Sequence, residues 1–180
     1  MTLRIIQTGD PVLRKVARTL SVDEIRSDSI TRLIEEMRDT MRAAPGVGLA
    51  APQIGESIQL AVIEDRINYT RDVSSEELEK RQRSPVDFHV IINPKISIIG
   101  DDTVDFFEGC LSVEGFVAMV PRATNVRVEC LNERAEPIII NAQGWYARIL
   151  QHEIDHLNGT LYIDRMQTRS FSTVENISPR

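Results

Sequence analysis

Apolar residues recur at helical spacing at Ile30, Leu33, Ile34, Met37 and Met41, which predicts an amphipathic helix over residues 29–44. Pro45-Gly46 ends it. Earlier, Asp10-Pro11-Val12-Leu13 reads as a short helical turn, with proline placed where its missing N–H costs nothing. Residues 58–64 read as a buried strand. Ile91-Ile92-Asn93-Pro94 and residues 95–99 read as two strands broken at the proline. Val126, Val128 and Cys130 alternate with Arg127 and Glu129, the period of a half-buried strand, and residues 137–141 supply another. Gly144 opens a second helix that carries Trp145, Ile149, His152 and His156 on one face, and Asn158-Gly159 closes it. Residues 66–85 are polar and read as a surface insertion, in which Ser74 and Glu77 predict the capping box of a short exposed helix. Together these elements predict an α+β fold. Short, mostly antiparallel strands pack around the second helix, and the amphipathic helix lies towards the N-terminus.

The chain has 180 residues, enough for one domain with a real core, so residues 1–180 are read as a single domain. Residues 164–180 read as an extended C-terminal tail, because from Thr168 onward the chain is rich in Ser and Thr and carries Pro179. No apolar run is long enough to predict membrane insertion, and a net charge of −6 disfavours DNA or RNA as the main ligand. Two cysteines, Cys110 and Cys130, cannot build a disulfide framework and suit a reducing compartment. The first residues lack a secretory signal pattern. A bacterial cytoplasm is the expected location, with a mitochondrion or plastid as the alternative if a presequence has been removed.

The candidate chemistry centres on Gln151-His152-Glu153-Ile154-Asp155-His156. Histidines four apart on a helix share a face and can hold a divalent metal, with Glu153 between them placed to handle protons. A catalytic ion needs a further ligand, and the candidates are Cys110, Cys130, His89 and a few acids. Cys130 lies on the apolar face of its strand and reads as core. His89 reads as a surface or satisfied core residue. Cys110 sits in Glu108-Gly109-Cys110-Leu111-Ser112, where glycine lets the chain turn sharply, although a small buried side chain is the plainer reading. Gly46 to Gly55 is small and backbone-exposing and contains Gln53, an amide able to donate to an oxyanion; an ordinary helix-to-strand loop is the alternative.

Three motifs in this order, Gly46–Gln53 (GxGLAAxQ), Glu108–Ser112 (EGCxS) and Gln151–Gly159 (QHExDHLxG), closely resemble peptide deformylase. The similarity spans essentially the whole chain, including Gly9-Asp10-Pro11-Val12-Leu13-Arg14, and is to the subtype found in organelles and some bacteria. The resemblance implies one divalent metal held by Cys110, His152 and His156: physiologically Fe2+, with Ni2+ or Zn2+ in purified protein. It implies hydrolysis of the formyl group from N-formylmethionyl nascent peptides. Glu153 would be the proton carrier, and Gln53 and the Leu111 backbone N–H would hold the oxyanion. Residues matching Val47, Trp145 and Ile149 line the methionine pocket, and backbone at Val47 and Gly48 pairs with extended peptide. Asp155 and Arg122 match a supporting ion pair, with a solvated helix residue as the alternative for Asp155; Glu108 matches a position that orients the site. A transient ribosome contact and a monomeric or weakly dimeric state are further expectations. Val117 departs from the family pattern, standing where many relatives carry an arginine beside bound peptide.

Two rival readings use the same helix. A zincin-like metallopeptidase usually takes its third ligand from downstream, but no histidine follows His156. A structural zinc site is closed by four protein ligands, and a fourth well-placed ligand is missing here.

Overall fold

The structure, a computed structural model, describes residues 2–71 and 73–177. Ser27 caps a helix at Asp28–Ala43 (α2) that follows a one-turn helix at Val22–Ile25 (α1). The helix-period pattern is realised: Ile30, Ile34, Met37 and Met41 are all buried, facing Leu49, Leu60, Val62 and Val90. Burial of each such side chain stabilises by roughly 1.5–3 kcal/mol before chain entropy is charged against it. Asp10 caps the short turn at Pro11–Arg14, as its residues predict.

Five strands form one antiparallel sheet in the order β1-β2-β3-β6-β7, from Gly48–Ala50 (β1), Leu60–Asp65 (β2), Val86–Ile98 (β3), Asn125–Leu131 (β6) and Pro137–Gln143 (β7). Thr103–Cys110 (β4) and Val113–Ala123 (β5) make a long hairpin, joined at its outer edge by Ser172–Thr173 (β8). Helix Gly144–Leu157 (α4) lies across the five-stranded sheet, burying Ala147, Ile149, Leu150, Ile154 and Leu157 against Ala61, Ile63, Ile91 and Val128. The α+β architecture expected from the sequence, with antiparallel strands around the H-E-x-x-H helix, is the observed one.

Three local readings change. Residues 86–98 form one continuous strand through Pro94, not two. The register shifts between Ile92 and Lys95, and Asn93 takes φ +51° there while its amide side chain exchanges hydrogen bonds with the Leu20 backbone. The proline is thus absorbed at a bulge rather than ending the strand. Ser74 does cap Ser75–Lys80 (α3), but Glu77 reaches Arg81 at 2.6 Å instead of closing a box. The segment expected as an extended tail is docked: Gln167 N–H donates to Met119 O (2.9 Å) and Ser170 Oγ accepts from Met119 N–H (2.8 Å). β8 and a helical turn at Val174–Ile177 (α5) follow, and residues 178–180 lie outside the described residues.

Candidate metal centre and substrate cleft

Helix α4 sets the imidazoles of His152 and His156 with centroids 5.0 Å apart. The third donor arrives from the end of β4, where a register shift between Gly109 and Cys110 turns the chain out of the hairpin. Cys110 Sγ lies 3.3 Å from His156 Nε2, and one donor atom from each of the three residues falls within 4.8 Å of the others. Such a group could hold one divalent ion. The Ser112 N–H (3.4 Å) and Gln53 Nε2 (3.6 Å) both point at the sulfur. The other candidates lie elsewhere. Cys130 is buried in β6, where burial pushes its thiol up to about 11. His89 is tied to Tyr146 Oη and the Asp87 carbonyl, each at 2.8 Å.

Behind the ligands lies a buried ionic network. Glu108 accepts from Arg122 through both carboxylate oxygens (2.9 Å each), from Arg148 Nη1 (2.7 Å), and from His152 Nδ1 (3.0 Å). Burial by itself would raise the Glu108 carboxyl, but the hydrogen bonds from Arg122 and His152 outweigh it and hold the group well below the usual carboxylate range. His152 therefore presents Nε2 to the metal position with Nδ1 anchored, the usual arrangement behind a ligating histidine. Arg122 also donates to Asp155 (2.5 Å), which Arg165 grips at 2.6 and 2.7 Å. Asp155 is only 7% exposed and is held by these two arginines. Arg148 and Arg165 were not singled out from the sequence. Arg148 sits in a helix with no local sign that its side chain is buried, and only its approach to Glu108 reveals it.

Glu153 is 4% exposed, and its Oε2 has no hydrogen-bond partner among the described residues. Burial pushes its carboxyl up to about 7, with the His152 charge opposing that rise and Glu108 adding to it. It fits there because Gly48 has no side chain: a Cβ on Gly48 would meet Glu153 Oε1 at 2.1 Å. An orphaned carboxylate oxygen next to one sulfur and two imidazole donors suits a bound divalent ion with exchangeable water.

These groups open onto a cleft of 410 Å³. Pro45 to Gly48, Gln53, Cys110, Leu111, His152 and Glu153 line it. Trp145, buried Ile149 and Val117, and the more exposed Phe116 complete the apolar part of the lining. Gln53 is held by Ala50 N–H at its Oε1 (2.8 Å) and offers Nε2 to Ser112 Oγ (3.3 Å). The 66–85 stretch is more than a surface insertion. Arg81 and Arg83 place their guanidiniums 4.8 and 5.3 Å from the Trp145 ring, and Arg83 is fixed by both oxygens of buried Asp65.

The geometry defines a candidate mononuclear metal centre on an H-E-x-x-H helix, with a cysteine sulfur as third donor and a largely apolar cleft beside it. The family model described as Polypeptide deformylase matches residues 2–172, and the chain belongs to that family. It is 49% identical over 173 residues to "Peptide deformylase 1A, chloroplastic" of Solanum lycopersicum, covering 96% of this chain and 62% of that protein. It is 46% identical to the chloroplastic/mitochondrial 1A protein of Arabidopsis thaliana, again over 96% of this chain but 64% of that one. The chain thus spans under two thirds of the length of these two relatives. A class I type b peptide deformylase from Acinetobacter baumannii, solved with Met-Ala-Ser bound, superposes with a TM-score of 0.82 at 31% identity, covering 92% of this chain and 99% of that one.

Proposed function

We propose that this chain hydrolyses the formyl amide at the N-terminal methionine of newly made polypeptides, releasing formate and a free amine. One observation carries the reading: the orphaned Glu153 Oε2 stands beside the Cys110, His152 and His156 donors in the lining of a largely apolar cleft. Cys110, His152 and His156 would hold a divalent ion, ferrous iron physiologically and nickel or zinc in purified protein, which would supply a Lewis acid at neutral pH.

Glu153 Oε2 takes the proton of the attacking water and later delivers it to the leaving amine. As the water oxygen bonds to the formyl carbon, negative charge collects on the carbonyl oxygen, where Gln53 Nε2 and the Leu111 N–H donate, and it returns to the C=O bond as the C–N bond breaks. Trp145, Ile149 and Val47 receive the methionine side chain, and the Gly48 backbone runs alongside extended peptide. Glu108, Arg122 and Asp155 position His152 and α4. The relative bound to a peptide beginning with methionine supports this use of the cleft. A nascent chain as substrate implies transient proximity to the ribosome. Two free cysteines suit a reducing interior, bacterial or organellar.

The test is incubation of the ferrous-loaded protein with formyl-Met-Ala-Ser and acetyl-Met-Ala-Ser, reading formate, acetate and internal peptide cleavage together. Formate alone is expected. Cleavage between residues of the peptide would replace this reading with that of an H-E-x-x-H peptidase.

A further inference from the structure

We propose that the docked C-terminal segment forms the outer wall of the substrate cleft and selects peptides with apolar side chains beyond the methionine. The proposal rests on the formyl-peptide reading of the cleft and adds a second recognition element to it. β8 pairs with the edge of β5 at Phe116↔Thr173 and Val117↔Ser172, the stretch that lines the cleft. Phe171 stacks on Phe116 with centroids 5.0 Å apart and planes 8° from parallel. Val174, at the start of α5, lines the same cleft as Phe116. The wall is fixed to the metal centre: Tyr162 Oη donates to the Phe116 carbonyl (3.1 Å), while the Tyr162 ring stacks 6.4 Å from His152.

Apolar groups here are left half in water, Phe116 at 40%, Phe171 at 43% and Val174 at 43% exposure, although they adjoin a concave site. Pro45 and Val47 add further apolar lining to the same cleft. Among the described residues the cations lining this cleft are Arg83 and Arg148, engaged by Asp65 and Glu108 respectively, and Phe116, Val117 and Val174 contribute none. Contact with apolar side chains remains as the source of affinity there.

Trp145 is the only tryptophan and lines the cleft, so its fluorescence reports occupancy without turnover. The metal-loaded protein, Phe171→Ala and Phe171→Tyr would be titrated with unformylated Met-Ala-Ser and Met-Leu-Phe, and kcat and KM measured on their formyl forms. The unsubstituted protein should favour the Leu-Phe peptide about tenfold, and Phe171→Ala should cut that ratio about fivefold, mainly through KM. Phe171→Tyr should restore the ratio. Phe171→Leu, apolar but unable to stack, reads the same ratio should the alanine variant unfold. Equal ratios in the unsubstituted protein and Phe171→Ala, or no preference in the unsubstituted protein, overturn the wall. Preserved discrimination in fluorescence with no formate from either peptide overturns the deformylase reading and leaves the wall standing.

Discussion

His152 Nδ1 lies 3.0 Å from Glu108 Oε2, so one metal-facing imidazole is oriented by a carboxylate that two arginines already hold. Removing that carboxylate frees the ring and leaves Arg122 and Arg148, each no more than 4% exposed, short of an acceptor. Glu108→Ala should lose about 10- to 100-fold in metal affinity, read by chelator competition. It should also lose about 3–5 kcal/mol of stability, read by denaturant unfolding. Unaltered metal affinity would contradict the orienting role.

Gly48 and Glu153 are in contact closer than any side chain on residue 48 allows. Gly48→Ala must push the Glu153 carboxylate or β1 aside. Displacement of about 1 Å at a reacting group costs on the order of 100-fold. The variant should therefore release formate about 100-fold more slowly while keeping its metal, since no ligand is touched. Full activity would show that Glu153 does not act from its observed position.

Arg42 at the end of α2 clasps Glu64 of β2 through two bonds of 2.7 Å. The hydrogen bond from Arg42 lowers the Glu64 carboxyl below its ordinary 4.5, against the opposing effect of burial. A depressed folded value means the stabilisation is present above the unfolded value and is lost as pH falls through the lower folded one. Glu64→Gln should cost about 1 kcal/mol at pH 7, a few degrees of Tm, and the gap should close in melts below about pH 4. A gap independent of pH would contradict the ion pair's contribution.

The two long helices were legible because their apolar positions keep the 3.6-residue period: Ile30, Ile34, Met37 and Met41 on one, Ile149 and the two histidines on the other. The β4–β5 hairpin was not, and Glu108 and Arg122 explain it. Both are buried on the inner face of their strands, so the alternation that marks a strand is interrupted by charge where the site needs it. The same chemistry hid Arg148, whose burial depends on acceptors at Glu108, Val104 and Val120 that are distant in sequence. The three candidate metal donors could be picked out from spacing and motif, while the docking of the tail depends on pairing with Phe116 and Val117, to which its composition gives no clue.

The most direct test of the account is metal content and formate release measured on the same preparations of the unsubstituted protein and Glu153→Gln. Both should hold about one divalent ion per chain, because Cys110, His152 and His156 are intact. Formate release from formyl-Met-Ala-Ser should fall by at least about 100-fold in the variant, the scale of a lost general base. A variant that keeps its metal and its full rate would contradict the assignment of the proton carrier, and formate release by metal-free protein would contradict the metal centre itself.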